Sequence, residues 1–204
     1  MPLAPSSRSA SPGRRERNKQ EKLDRITAAA SELFAERGVD EVTTQEIADR
    51  ADIGAGTLFL YARSKAELLL LVQNSTYADA LARGRSAAEG MTGTLDAVMA
   101  IVRPVVECNR THVGNGRTYL REIVFGDPAE PHHRDALALT VQTEEAIAAV
   151  LRRDGRTDAK DAAARAHIVS AIMLVSMAAT INAAHQVEDV VQEIRDQVRV
   201  LLPG

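Results

Sequence analysis

Residues 43–69 constrain the fold of this chain more than any other stretch, because they specify two helix starts with a tight break between them. Twice in this stretch, at Thr43 and at Ser64, a hydroxyl residue stands three positions before a glutamate, which is the spacing of a capping box. Between them, Asp52-Ile53-Gly54 interrupts the helical pattern, since Asp favours turns and glycine tolerates positive φ. The stretch therefore predicts two short helices joined by a turn, followed by the capped start of a third helix.

Two short helices joined by a glycine-containing turn form a helix-turn-helix, whose second helix can lie in the major groove of DNA. The second helix is predicted over Ala55–Tyr61 and begins beside small residues, which let the backbone approach base edges. Spacing alone leaves two interpretations open, DNA binding and a plain corner between two core helices.

The sequence TTQEIADRADIGAGTLFLYARSKAELL resembles the DNA-binding signature of the TetR family of bacterial transcriptional regulators, whose pattern is roughly T-T-x-x-I-A-x-x-A-G-V-S-x-G-T-L-Y-x-Y-F-x-S-K-x-x-L-L. The matching residues are Thr43, Thr44, Ile47, Ala48, Ala51, Gly56, Thr57, Leu58, Tyr61, Ser64, Lys65, Leu68 and Leu69. The resemblance implies an all-α protein with an N-terminal three-helix DNA-binding domain and a C-terminal helical bundle for ligand binding and dimerisation.

Four residues depart from that family pattern. Asp52 stands where the family usually has Gly, and Gly54 where it usually has Ser, so a capping hydroxyl is missing. Phe59 replaces a Tyr whose phenol typically meets a phosphate, and Ala62 replaces a Phe that packs behind the motif. These departures bear on DNA affinity and on the set of phosphate contacts rather than on the fold.

The predicted DNA-binding residues lie on or beside the two short helices: Thr44, Gln45, Ala55, Gly56, Thr57, Phe59, Tyr61 and Lys65. By the resemblance, Ala55–Thr57 would face base edges, and Thr44, Tyr61 and Lys65 would hold phosphates. Gln45 could also reach a base, since Gln can pair bidentately with adenine. Thr57 could equally pack inside the domain.

The chain of 204 residues has a net charge of −3, 45% hydrophobic residues and 3% aromatic residues. Abundant alanine favours helix over sheet. The single cysteine, Cys108, excludes an internal disulfide and is interpreted as a small buried hydrophobe, with a thiol sensor as the alternative. The N-terminus lacks the apolar segment of a signal peptide, and the longest apolar run, 168–181, is too short to span a bilayer. A cytoplasmic protein is therefore expected.

The chain is expected to divide into a disordered basic arm (1–20), a helix-turn-helix DNA-binding domain (21–66) and a ligand-binding and dimerisation domain (67–204). The arm is either a DNA contact or a solubilising tail. Hydrophobic periodicity predicts helices over 22–37, 64–85, 94–109, 117–125, 130–153, 158–185 and 187–202, with a glycine-punctuated turn at 113–116.

The last two predicted helices, 158–185 and 187–202, are expected to form a homodimer interface. The first is apolar nearly all round in its middle, and such a helix must be covered on every side. A second subunit is the natural cover, giving a four-helix interface between symmetry mates. The alternative is an ordinary pair of core helices in a monomer.

A small-molecule effector is expected to bind inside the bundle of residues 75–185. The candidate lining residues are Tyr77, Met99, Asn109, Tyr119, Phe125, Met173 and Met177. Because aromatic residues are few, the composition favours an aliphatic or acyl-type ligand over a flat aromatic one.

No catalytic, metal or cofactor motif stands out. His132 and His133 are adjacent and would point in different directions from a helix, and no HExxH or CxxC lies nearby. The sequence thus predicts a non-enzymatic, ligand-responsive transcriptional repressor that binds a palindromic operator as a homodimer, with no cofactor and no membrane. The alternatives are an all-α small-molecule carrier or enzyme with an incidental helix-turn-helix, and a DNA-binding regulator governed by a partner protein.

Overall fold

A computed structural model describes residues 13–153 and 155–202. In these ranges the chain forms nine α-helices and no strand, which confirms the all-α prediction. The helices are α1 Arg14–Arg37, α2 Thr44–Arg50, α3 Ala55–Leu58, α4 Lys65–Glu89, α5 Thr94–Arg110, α6 Val113–Phe125, α7 Pro131–Leu151, α8 Ala159–Ala178 and α9 Val187–Leu201.

Helices α1 to α3 pack around a small apolar core. Ile26 and Phe34 of α1 are almost fully buried against Ile47 of α2 and Leu58 of α3. Gly38 ends α1 with a φ of +80°, a conformation that glycine adopts without steric cost. Because α3 has only four residues, its orientation depends on the packing of Leu58 in this core.

Helix α1 begins earlier than predicted. The prediction of a disordered arm over 1–20 was wrong for residues 14–20, because these form the first turns of α1. Residues 1–12 of the predicted arm lie outside the described residues. The early turns are rich in Arg, Glu, Lys and Gln, all good helix formers, and Gln20 donates to Asp24 at 2.7 Å one turn later. An exposed extension of a buried helix therefore needs no apolar face of its own.

Helix α4 continues from the first three helices into the bundle and packs along α5 and α7. A close approach of α4 to α5 occurs at Gly84, where an added Cβ would lie 2.8 Å from the Cα of Ile101. Pro104 lies inside α5.

Helix α6 begins four residues before the predicted position, so the turn expected over 113–116 was wrong. His112 caps the helix by accepting from the amide of Asn115 at 3.2 Å. Gly116 lies so close to α5 that an added Cβ would be 2.0 Å from the carbonyl oxygen of Asn109. The glycine therefore serves helix packing, not a turn.

Helix α8 ends at Ala178, earlier than the predicted His185, and a 3₁₀ turn follows over Thr180–Asn182. Two arginines from other helices donate hydrogen bonds to backbone carbonyls at the end of α8 and in this turn. Arg117 donates to the Ala178 carbonyl at 3.1 Å, and Arg110 donates to the Asn182 carbonyl at 2.9 Å. These long-range contacts have no local sequence signal.

Candidate DNA interface and effector cavity

The capping box predicted at the start of α2 is present. Thr43 Oγ1 accepts from the Glu46 amide at 3.2 Å, and Glu46 Oε2 accepts from the Thr43 amide at 2.8 Å. Arg37 also donates to Glu46 at 2.9 Å. The hydrogen bonds from Thr43, followed by those from Arg37, lower the pKa of Glu46 to about 2.

The break between α2 and α3 uses Asp52 rather than glycine for the left-handed residue. Asp52 has a φ of +53°, whereas Gly54 is extended with a φ of −70° and serves as the N-cap of α3. Asp is among the few non-glycine residues that tolerate this region. Gly54 makes no side-chain cap, as expected from the missing hydroxyl.

Helix α3 turns Gly56 and its C-terminal end outward. Leu58 is fully buried, while Gly56 and Phe59 are exposed and Thr57 is half-buried. An added Cβ at Gly56 would meet no protein atom within 4 Å. The fold of the domain therefore gives no steric reason for glycine at this position.

The polar candidates around α3 already have partners within the chain. Gln45 donates to Asp49 at 2.7 Å, Lys65 Nζ donates to the Asp40 carbonyl at 3.1 Å, and the Tyr61 hydroxyl donates to the Lys19 carbonyl at 3.4 Å. These are surface hydrogen bonds, which water or phosphate oxygens can replace at low cost. Thr44, the first residue of α2, is half-buried beside them.

Sequence reasoning missed Leu60, whose side chain is 82% exposed directly after α3. It follows Gly56 by four positions and therefore lies on the same outward face. The four-residue spacing between Gly56 and Leu60 is visible in the sequence and could have identified Leu60.

A cavity of about 290 Å³ opens between α4, α5, α6, α7 and α8. Of the predicted lining residues, Tyr77, Tyr119, Met173 and Met177 contribute to its wall. The two tyrosine rings stack with centroids 4.3 Å apart. Burial raises the pKa of both phenols, so they stay neutral at physiological pH.

The other three candidates lie elsewhere, and their prediction as lining residues is corrected. Phe125 is 81% exposed at the end of α6, and Met99 is buried in the core. Asn109 lies behind the wall, where its amide donates to the Tyr77 hydroxyl at 2.5 Å. Composition alone did not distinguish a wall residue from its neighbours in the core.

The wall of the cavity is largely apolar, and neither Lys nor Arg lines it among the described residues. Apart from the two tyrosines, its ionisable side chains are Glu144 and His167, whose Oε1 and Nδ1 atoms lie 3.0 Å apart between α7 and α8. The hydroxyls of Thr140 and Thr143 donate to carbonyls of their own helix. The cavity thus suits an apolar ligand body with a polar end near the Glu144–His167 pair.

A chain of hydrogen bonds links the cavity wall to the end of the helix-turn-helix. The Tyr119 hydroxyl donates to Asn74 Oδ1 at 2.9 Å, and Asn74 Nδ2 donates to the His132 carbonyl at 2.9 Å. His132 Nε2 lies 3.2 Å from the Tyr61 carbonyl, and the His132 amide donates to Glu67 Oε1 at 2.8 Å. Glu67 therefore serves the start of α7, and only the Ser64 half of the second predicted capping box forms.

A second contact ties α6 to the end of α1. Asn115 Oδ1 accepts from the Val39 amide at 2.7 Å, and Asn115 Nδ2 donates to the Phe34 carbonyl at 2.8 Å. All of these groups are buried, so the contact fixes α6 against the first three helices.

Cys108 is half-buried, and burial raises its pKa to about 11. A protonated thiol is a poor nucleophile. Within the described ranges, no group of three or more His, Cys, Asp or Glu side chains is arranged to hold a metal ion.

Residues 26–72 match the family model described as bacterial regulatory proteins, tetR family. The N-terminal segment of the chain therefore matches the DNA-binding domain of the TetR family, and the whole chain has the fold of TetR-family regulators. No curated protein matches the chain in sequence.

Solved structures of TetR-family regulators share the fold over nearly the whole chain. A TetR regulator from Rhodococcus sp. RHA1 has a TM-score of 0.69 and 17% identity, covering 91% of this chain and 97% of that one. Thermus thermophilus FadR, a TetR-family repressor in complex with lauroyl-CoA, has a TM-score of 0.70 and 25% identity over 88% and 92%. Bacillus subtilis FadR in complex with stearoyl-CoA has a TM-score of 0.63 and 15% identity over 89% and 98%.

Proposed function

We propose that this protein is a homodimeric transcriptional repressor that binds a palindromic operator and is released from it by a small-molecule effector. It acts in the cytoplasm by binding alone, without catalysis or a cofactor. The observation that carries this proposal is the hydrogen-bonded chain from the cavity wall through Asn74 and His132 to Tyr61 at the end of the helix-turn-helix.

Each subunit would place α3 in the major groove of one half-site. Gly56 and Ala55 let the backbone approach the base edges, while Thr44, Tyr61 and Lys65 hold phosphates beside them. Gln45 and Thr57 are the nearest side chains able to hydrogen-bond a base. Lys65 would exchange its contact with the Asp40 carbonyl for a phosphate oxygen.

Dimerisation would cover the apolar face that α8 leaves exposed. Ile168 and Val175 are 43% and 65% exposed and lie with Ile172 along one stripe. By length and composition alone, α8 is also the one helix of the described residues that could cross a membrane, yet its opposite face is buried against the bundle. A second copy of the chain fits this two-sided helix better than lipid does.

The contribution expected of α9 is smaller than the sequence indicated. Val190, Val191, Ile194 and Val198 are buried against the chain's own bundle. The apolar stripe of α9 is therefore used inside the subunit. Only the outward side of α9 is left for a four-helix interface.

The effector would be a molecule with an aliphatic chain. The cavity wall is mostly apolar, and two structures of similar fold, from Thermus thermophilus and Bacillus subtilis, hold acyl-CoA ligands. Because Lys and Arg do not line the cavity, an anionic head would lie outside it, beyond Glu144 and His167.

An effector that moves Tyr119 or the start of α7 would act on Tyr61 and α4 through the hydrogen-bonded chain. It would shift the population of dimers away from the spacing that fits both half-sites. Such a shift requires the effector to bind the DNA-incompetent dimer more tightly than the DNA-competent dimer. Its contacts with the cavity wall would differ between the two states.

The DNA part of the proposal is tested by selecting bound fragments from genomic DNA and measuring affinity for the selected site over a salt series. We expect a palindromic site, an affinity that falls steeply as salt rises, and a loss on Lys65→Ala. Lys160→Ala removes the same charge from an exposed position on α8 and should change affinity little. Failure to select any sequence would contradict operator binding.

The effector part is tested by adding acyl-CoA thioesters of graded chain length to the protein–operator complex. We expect release to depend on chain length, with free CoA inactive. Thr140→Trp should fill the cavity and abolish release, whereas Gln142→Trp, on the outer side of the same helix, should not. Release by none of the thioesters, together with no thermal stabilisation by them, would contradict an acyl effector.

A further inference from the structure

The outward face of α3 and of the turn after it is made of hydrocarbon. Gly56, Phe59 and Leu60 are exposed next to one another, and none of their side chains carries a hydrogen-bonding group. Phe59 is 47% exposed and Leu60 is 82% exposed, while Leu58 is buried behind them. We define these three outward residues as the apolar reading face.

The hydrogen-bonding side chains near this face are half-buried or lie on neighbouring elements. Gln45 is held by Asp49 at 2.7 Å, and Thr57 is half-buried. Arg37 and Arg50 of the same domain are paired with Glu46 and Glu32. The side chains commonly used to recognise guanine or adenine by paired hydrogen bonds therefore do not project from α3 itself.

An exposed leucine next to an exposed phenylalanine gains free energy only from an apolar partner. The major groove offers one such group on the standard bases, the C5-methyl group of thymine. The face is continuous with the segment that matches the DNA-binding family model, residues 26–72, and lies apart in the chain from the exposed stripe of α8. Its occupant is therefore DNA rather than a second copy of the chain.

We propose that Phe59 and Leu60 determine operator specificity by van der Waals contact with thymine methyl groups in each half-site. This inference rests on the proposed operator binding and adds the chemical group that is read. The operator then carries thymines at the positions that face α3, and recognition there depends on shape and methyl contacts rather than on paired hydrogen bonds.

The test replaces thymines of the selected operator one at a time by deoxyuridine. Uracil pairs with adenine as thymine does and lacks only the methyl group. Burying one methyl-sized group corresponds to about a fourfold change in Kd. We expect a loss of that size at one or two positions of a half-site, and a loss greater than tenfold when both half-sites are changed.

The protein variant Leu60→Ala identifies the residue that makes the contact. Because Leu60 is exposed, the variant should keep the melting temperature of the parent protein, which is measured alongside. It should bind the thymine operator several-fold more weakly, and uracil at the contacted position should cause no further loss. In Phe59→Ala, uracil at a different thymine position should likewise cause no further loss of binding.

Three outcomes would overturn the proposal. In the first, uracil at every thymine of the half-sites leaves the Kd within twofold of its parent value. In the second, Leu60→Ala weakens the thymine and uracil operators equally, which would assign the side chain to the sugar–phosphate backbone. In the third, the protein selects no DNA sequence at all, and that result would also overturn the proposed function, whereas the first two would leave it standing.

Discussion

The DNA-facing end of the molecule and the helical bundle both contain glycine, but in opposite steric environments. At Gly54 and Gly56 an added Cβ would meet no protein atom within 4 Å. At Gly84 and Gly116 it would lie 2.8 Å from Ile101 and 2.0 Å from Asn109, both backbone atoms of α5. The packing of the bundle therefore requires glycine at Gly84 and Gly116, whereas the packing of the helix-turn-helix places no such requirement on Gly54 and Gly56.

The largest effect is expected from Gly116→Ala. The new methyl group would overlap the Asn109 carbonyl oxygen, and α5 and α6 would have to separate. Overpacking of this kind costs about 3 kcal/mol of unfolding free energy. Urea denaturation measures the loss.

Gly90→Ala is the matched control for that variant, because the Cβ position at Gly90 is open and its φ is −87°. The control should change the unfolding free energy by less than about 1 kcal/mol. Equal losses in the two variants would remove the distinction between closed and open glycines.

The next effect concerns the link between the two regions. Tyr119→Phe keeps the ring in the cavity wall and removes the hydroxyl that donates to Asn74. The loss of one partly buried hydrogen bond costs about 1 kcal/mol. We expect the effector to release DNA several-fold less effectively, as measured by the shift in operator Kd between saturating and zero effector.

Tyr77→Phe is the control for that link. Its ring stacks on Tyr119, but its hydroxyl accepts from Asn109 and lies outside the chain of hydrogen bonds to His132. The control should keep the effector response. An unchanged response in Tyr119→Phe would show that α4 transmits the signal without this chain.

A smaller effect is expected from pH at the capping box of α2. The pKa of Glu46 lies at about 2 in the folded protein and near 4.5 when unperturbed, so folding favours the ionised form. The stabilisation is therefore complete above pH 4.5 and is lost as pH falls toward 2. Denaturation midpoints of the parent protein and of Glu46→Gln should converge over that interval, and a constant difference would contradict the assignment.

The smallest effect is expected at the turn before α3. Asp52 has a φ of +53°, so Asp52→Gly should relieve strain and raise stability by at most about 1 kcal/mol. Asp52→Ala should lower stability, because alanine cannot occupy this region as readily. Thermal melts of the two variants, measured in parallel, should show a higher melting temperature for Asp52→Gly and a lower one for Asp52→Ala. A lower melting temperature in both variants would mean that the Asp52 carboxylate contributes more to stability than its backbone strain costs.

The sequence predicted those features that depend on neighbouring residues. The Thr43 cap, the break at Asp52 and the apolar face of α1 arise from local chemistry, and the structure contains all three. The spacing of capping and turn residues in 43–69 also predicted the position of the helix-turn-helix.

Features set by distant contacts were mispredicted. Glu67 has the spacing of a capping box but accepts from His132, which is far away in sequence. Gly116 looked like a turn residue because Asn109 of the packed helix was not visible in the local pattern. Phe125 was assigned to the cavity on residue type alone, although it is exposed.

Gly56→Ala provides the most direct measurement of the central claim, that α3 is built to meet DNA rather than to pack within the protein. Melting temperature and operator Kd are measured on the same preparation. We expect an unchanged or slightly higher melting temperature, since alanine favours helix, with operator binding weakened at least about tenfold by the methyl group in the groove. Unchanged operator binding, or a drop in melting temperature large enough to explain the loss, would contradict this claim.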